Sequence, residues 1–315
     1  MMVWLNLLFL WLTSCAALAP QKTPTVLGND LVKAGLYREA IDVYTKALSK
    51  EPENMALHRN LGIVLVKTGN YPKALKHLKK AIAKYENDFD SNFFLGEAYR
   101  AEETFGEAIF YYKKANKLNA KNLHVMKALA WAYYKTRFYS EALRISRLAS
   151  EQDRKDVQTK IIQARIYLKL SKFKSAFDLM EQAKAKISSL DLAFIESVQA
   201  EIYQRIGQDK KAFILYQSAL KKQPLLASAV LGLAKCHLAN KNYKKSIEYL
   251  EQAVRLKPAM KEAYFNLGLA YEGINKEKSL KYFSLFRSKA GSDPDYLQDL
   301  VLAKQKIKEL GGRVL

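Results

Sequence analysis

The sequence predicts an all-α protein of the α-solenoid class, about eight stacked helix pairs closed by a terminal helix, and three observations lead there. Ala40, Ala74, Ala108, Ala142 and Ala176 follow one another at 34-residue steps. The aromatic residues Tyr37, Tyr71, Phe105, Tyr139 and Phe173 keep the same step three positions earlier. A third ladder runs through Ala47, Ala81, Ala115, Ala149 and Ala183. A fixed period of this size overrides any domain count taken from length. Each unit is too small to bury a core alone, so neighbours must stack into one elongated array.

Beyond residue 183 the period continues with small slips, through Ala212 after 36 residues, Ser246 after 34 and Ser279 after 33. The units are drawn as 21–54, 55–88, 89–122, 123–156, 157–190, 193–226, 227–260 and 261 to about 293, so the solenoid occupies 21–293. Each reads as two amphipathic helices. In the third, Leu95, Ala98 and Tyr99 share one helical face, a turn lies near Glu103 and Thr104, and Ala108, Tyr111, Tyr112 and Ala115 form a second stripe. Gly35, Gly69 and Gly207 occupy the same turn elsewhere, where glycine takes a left-handed conformation most easily. Pro52, Pro224 and Pro258 end second helices. Gly62, Gly96, Ala130, Ala164, Ala200, Ala234 and Gly268 let paired helix backbones approach closely. The extra residues at 188–192 mark either a hinge or a slightly longer loop. Residues 294–315 complete the chain, with one apolar stripe in "YLQDLVLAKQKIKEL", as a capping helix needs, and then a tail.

In the second unit Leu61, Gly62, Leu65, Tyr71, Ala74, Leu78 and Ala81 stand at the positions of the tetratricopeptide repeat, which the array resembles. Gln163 and Gln199 replace the usual leucine, and the last unit lacks a ladder alanine and one residue. The resemblance implies a right-handed superhelix whose first helices line a concave groove. It speaks to fold far more than to function.

Lys plus Arg outnumber Asp plus Glu by 52 to 31, and none of these charges lies in residues 1–21, so the whole formal charge of +21 belongs to residues 22–315. Such a field attracts anionic partners without naming one. The 49% apolar content suffices for a buried core. Two cysteines build no disulfide framework, and Cys236 reads as a small buried hydrophobe. His58, His77, His124 and His237 are scattered without metal-ligand spacing. No phosphate-cradling glycine loop, nucleophile elbow or paired metal ligands occur, so the expectation is a non-enzymatic chain with no cofactor and no metal.

The family's groove geometry brings Arg59, Arg100, Lys127, Arg165 and Lys235 to the inner face, with Lys67, Lys135, Lys169 and Arg205 near its rim. Phe93, Trp131, Tyr134, Phe194 and Phe265 fall among them. Cations interleaved with rings suit a peptide or protein bearing acidic and apolar residues, since rings give rigid contact area and guanidinium groups grip carboxylates at two points. Glu97 and Glu201 interrupt the positive line. The alternative is that these are solvated faces and aromatics packed between units. The tetratricopeptide clamp for chaperone C-termini is excluded, because Asn29 and Asn60 fit but Thr25, Asp90 and Phe94 stand where its cations belong. Lysines on second helices, as in "KALKHLKKA" and "NYKKSIEYL", read as a solubilising outer face or as a surface for anionic lipid or polymer.

At the N-terminus, the uncharged run from Val3 to Ala19 is 17 residues, short for a spanning helix and suited to an export signal. Cleavage after Ala19 would place Pro20 directly behind the cut. "LTSC", Leu12 to Cys15, is similar instead to the bacterial lipobox, although "MMVWLN" carries no Lys or Arg. That resemblance implies a signal peptide at 1–14, lipid on Cys15, a tether at 15–20, and an outer-membrane lipoprotein facing the periplasm. Cleaved secretion and an uncleaved anchor remain the alternatives. The expected role is an envelope adaptor, resembling tetratricopeptide pilotin lipoproteins of type IV pili or scaffolds for peptidoglycan hydrolases. A binder of anionic envelope polymer or lipid is the second reading. A cytoplasmic assembly or RNA-associated factor is the third, if 1–19 is no export signal; nucleic acid is otherwise the least favoured partner.

Overall fold

The computed structural model describes residues 22–184, 189–291 and 293–312, and of residues 189 and 190 the backbone alone. The expected signal peptide at 1–14, the expected tether at 15–20 and Cys15 lie outside them. Among the described residues there are seventeen α-helices and no strand, as the α-solenoid class requires.

The chain divides into two units, 1–138 and 139–315. The first holds α1 (Pro24–Lys33) with α2 (Tyr37–Leu48), α3 (Met55–Lys67) with α4 (Tyr71–Lys84), α5 (Phe89–Ala101) with α6 (Phe105–Leu118), and α7 (Leu123–Lys135). The second holds α8 (Tyr139–Gln152), α9 (Val157–Lys169) with α10 (Phe173–Ala183), α11 (Ser189–Arg205) with α12 (Asp209–Lys222), α13 (Ala227–Ala239) with α14 (Tyr243–Leu256), and α15 (Lys261–Tyr271) with α16 (Lys276–Ala290). A single 3-10 turn, Pro294–Tyr296, leads into α17 (Leu297–Glu309). The division falls inside the fourth repeat. At the insertion, residues 189–192 belong to α11, which has 17 residues against the 13 of α9 and α13.

The helix starts have a local cause. Asn54, Asp88, Asn122 and Asp156 stand just before α3, α5, α7 and α9, and each side chain accepts a hydrogen bond from the backbone N–H three residues on. Such a cap satisfies one of the helix's orphan donors. Leu226 and Met260, at the equivalent place before α13 and α15, offer no such bond. The turns within repeats share one backbone conformation: φ is positive at Gly35, Gly69 and Gly207, and equally at Glu103, Arg137, Ser171 and Lys241. The turn geometry therefore prevails over side-chain preference in four repeats.

Packing follows the ladders. Ala40, Ala74, Ala108, Ala142 and Ala176 are all 0% exposed. Ser246 and Ser279 continue the series by donating their hydroxyls to the carbonyls of Ala234 and Gly268, at 3.0 and 2.8 Å. A Cβ on Gly96 would lie 2.5 Å from the Tyr112 ring, and one on Gly28 2.3 Å from Tyr44, so a ring of the second helix fills the space each glycine leaves. Gln163 answers its loss of leucine by donating to Ser150 Oγ at 3.1 Å, and Gln199 donates to Glu181. Cys236 is buried, and burial pushes its thiol up to about 11. In α17, Leu300, Ala303 and Ile307 close over Phe283 and Phe286.

Candidate functional site

Which helices form the inner face is decided by their packing. In the first unit α1 touches α3, α3 touches α5 and α5 touches α7; in the second, α9, α11, α13 and α15 touch in succession, whereas among the described residues no two second helices pack to that extent. Elements that touch at every second place lie on the inside of a curve. The first helices thus provide the inner face of each unit, and every groove residue expected from the sequence is on one of them.

In the first unit, rings dominate that face. Trp131 and Tyr134, one helical turn apart on α7, are both half-buried and stack with centroids 5.1 Å apart. On α5, Phe93 stacks with Phe89 at 6.3 Å and meets Phe94 edge-on at 5.3 Å and Tyr112 at 6.0 Å. The arginines are committed within the chain. Arg59 donates to Asp88 Oδ1 at 3.1 Å, while the other oxygen of Asp88 caps α5 through Ser91 N–H at 2.8 Å. Burial opposes ionisation of Asp88, but these bonds to Ser91 and Arg59 hold its carboxyl below the usual range. Arg100 is bound by Glu97 through both oxygens, at 2.6 and 3.3 Å, and that hydrogen bonding holds its proton more firmly. Tyr112 donates its hydroxyl to the same Glu97; burial first and this carboxylate second push the phenol up. Lys127 is half-buried on α7. The rim lysines lie over ladder rings of the preceding repeat, Lys67 over Tyr37 at 5.9 Å and Lys135 over Phe105 at 5.6 Å.

In the second unit, cations dominate. Arg165 is half-buried and Arg205 exposed. The Tyr216 hydroxyl beneath this face is pushed up by burial, then by Glu201, Cys236 and Glu262, with Arg165 opposing. Lys235 bridges Glu262 at 2.7 Å, and Lys169 bridges Asp295 at 2.9 Å. One of the expected groove aromatics is not available there, and another is half-buried. Phe265 is buried against Phe283 and Phe286, at 5.9 and 5.1 Å, and Phe194 packs on two adjoining cores. The position of Phe265 along its helix is that of the groove, but the Phe283 and Phe286 rings draw it inward.

The histidines are scattered in sequence, yet the structure brings His58 and His77 together, Nδ1 to Nδ1 at 2.8 Å. His58 Nε2 lies 2.9 Å from the Pro52 carbonyl and so carries the proton, which makes its Nδ1 the acceptor for His77 Nδ1–H. The signal was their placement on the two helices of one repeat. Among the described residues no group of three or more His, Cys, Asp or Glu could hold a metal, and no helix is long and apolar enough to cross a membrane.

A stack of short helix pairs with periodic alanines, shared turns and an inner face of first helices defines a helix-pair repeat protein. A tetratricopeptide repeat model matches residues 25–89, 60–122, 215–260 and 242–278, and a second such model matches 99–166. The chain belongs to the tetratricopeptide repeat family, whose repeats build protein-interaction scaffolds. Among solved structures, it is similar to a tetratricopeptide repeat protein from Parabacteroides merdae, at 16% identity and TM-score 0.69, over 78% of this chain and 97% of that one. It is also similar to a chain of the APC/C hetero-tetramer Cut9-Hcn1, at 14% identity and TM-score 0.62, over 95% of this chain and 58% of that one. Yeast Tom70 gives 21% identity and TM-score 0.62, over 87% of this chain and 59% of that one. At these identities the likeness is one of fold. No curated protein sequence matches.

Proposed function

We propose that this protein is an envelope adaptor: a scaffold tethered through lipid on Cys15 that holds a peptide or protein partner against the inner faces of its first helices. The observation that carries the binding part is the Trp131–Tyr134 stack on α7. Two large rings already held in register lose little freedom on binding, and such rings concentrate the affinity of interfaces. A segment that binds the first unit's inner face is apolar, and one that binds the second unit's carries acidic residues for its cations, Arg165, Lys169, Arg205 and Lys235. The pairing of Arg59 and Arg100 within the chain moves their part from gripping a carboxylate to positioning Asp88 and Tyr112. Lys127, beside the ring stack, supplies charge there.

The tether rests on "LTSC" and on the lack of charge through residue 21. A place in pilus secretin assembly or in cell-wall enzyme organisation suits that architecture. Intact mass of the membrane-fraction protein, beside a Cys15→Ser variant, tests the tether. Loss of residues 1–14 with added acyl mass, and release of the variant from the membrane, are expected; a retained leader or unchanged attachment contradicts it. Capture of partners from the native envelope by wild type and by Trp131→Ala tests the binding. Captured protein that is lost with the ring supports the adaptor. Capture that ignores Trp131 and collapses with salt favours a binder of anionic polymer or lipid instead.

A further inference from the structure

The acidic turn that precedes α17 reaches back to the fifth repeat. Asp295 Oδ2 lies 2.9 Å from Lys169 Nζ, across 126 residues of sequence. Its neighbour Asp293 accepts from Lys261 Nζ at 3.0 Å, and the Tyr296 ring packs edge-on against Phe286 with centroids 5.7 Å apart. Asp299, in the first turn of α17, is half-buried within the field of Glu262 and Lys235. Thus two of the four cations expected to hold a partner in the second unit face carboxylates of the chain itself.

Capping does not account for this arrangement. A terminal helix must cover the last repeat with apolar residues, which Leu300, Ala303 and Ile307 do, and show polar residues to water. It has no need to send Asp295 to Lys169 on the first helix of the fifth repeat, or to set Asp293 and the Tyr296 ring against Lys261 on the first helix of the last. Those groups are the chemistry that a cationic inner face selects.

We infer that residues 293–299, DPDYLQD, are an internal ligand of the second unit's inner face, and that the external partner of this face is a peptide segment of the same chemistry, carboxylates flanking an aromatic ring. The inference rests on the reading of the inner faces as peptide sites and names the kind of peptide for one of them. Lys169 and Asp295 each keep 31% of their side-chain exposure, so the latch is one a competitor can open. It nevertheless acts at an effective concentration on the order of millimolar, because it is part of the same chain.

Fluorescence anisotropy of a labelled synthetic peptide DPDYLQD against the full chain tests this at low salt. The Asp295→Asn, Asp299→Asn double variant should bind the peptide about tenfold more tightly than wild type, because the internal competitor is weakened. Adding Lys169→Gln and Lys235→Gln to that variant should abolish the gain, and a peptide with asparagine for each aspartate should not bind. Equal affinity for wild type and double variant, with helical circular dichroism and melting unchanged, overturns the inference. Should the double variant melt early, hydrogen exchange on wild type decides: saturating peptide must speed exchange at 293–299 and slow it at 165–169, and unchanged exchange overturns it. The two readings fail separately. Peptide competition that persists when envelope capture ignores Trp131 overturns the adaptor alone; a peptide that never binds while Trp131-dependent capture survives overturns the internal ligand alone.

Discussion

The two units are built from one repeat, yet their inner faces dispose of charge in opposite ways. In the first, Arg59 is paired with Asp88 at the start of α5 and Arg100 with Glu97 on its own helix, and the rest of the face is mainly rings, with Lys127 beside them. In the second, Phe265 has gone into the core, and the cations Lys169 and Lys235 meet carboxylates from the terminal turn and from α15. A formal charge of +21 therefore says little about what a groove offers. What matters is whether each cation is neutralised by its own repeat, by a distant segment, or by a partner.

The strongest way to separate the units is to empty a core of one. Tyr112→Ala removes the ring that fills the space beside Gly96 and should cost about 3–5 kcal/mol. Because repeats couple mainly to their neighbours, hydrogen exchange should show α5 and α6 opening while α13 to α16 keep their protection. Equal loss of protection throughout would mean that the two units unfold as one.

Acid should act next most strongly, again on the first unit. His77 is pulled down to about 4, by burial first and then by His58, Lys76 and Lys80. A depressed histidine is neutral in the folded state and protonated in the unfolded chain between that value and about 6.5. Stability is therefore full above pH 6.5 and falls as pH drops towards 4, by about 2–3 kcal/mol. Urea denaturation at neutral and at mildly acidic pH should show this loss in wild type and a shallower one in His77→Gln. A variant as acid-sensitive as wild type would place the cause in other groups, His237 in the second unit among them, which burial and Lys245 shift in the same direction.

The smallest effects compare backbone turns. Glu103 in the first unit and Lys241 in the second hold positive φ without being glycine. Glu103→Gly and Lys241→Gly should each stabilise by about 1 kcal/mol or somewhat less, since the strain of a left-handed side-chain residue is relieved. Asn54→Ala should cost about 1 kcal/mol through the lost cap of α3. Thermal melting checks all three, and a destabilised glycine variant would show that the replaced side chains hold the turns by other means.

Much of the fold was legible because its code is local. The alanine ladders and the aromatic step reveal period, helix pairing and core, since each position packs against the same neighbours in every repeat. The cap ladder at Asn54, Asp88, Asn122 and Asp156 keeps the same step, but it lies outside the apolar stripes from which the repeat is drawn. The candidate site was legible only as a set of helix positions. Register places Arg59, Phe265 and Lys169 on a face, but whether each side chain stays there depends on Asp88, Phe286 and Asp295, which lie 29, 21 and 126 residues away. Pairings at such separations leave no periodic trace. The pairing of His58 with His77 lies within one repeat but occurs in that repeat alone, so it too leaves no periodic trace.

The difference between the units turns on one quantity: the affinity of a captured partner for wild type and for the Trp131→Ala, Tyr134→Ala variant, measured at low and at high salt. A face of stacked rings predicts a loss of more than about tenfold on truncation, with wild-type binding largely retained as salt rises. An affinity that ignores both rings and collapses with salt would contradict the account, and would return the binding to the chain's net charge.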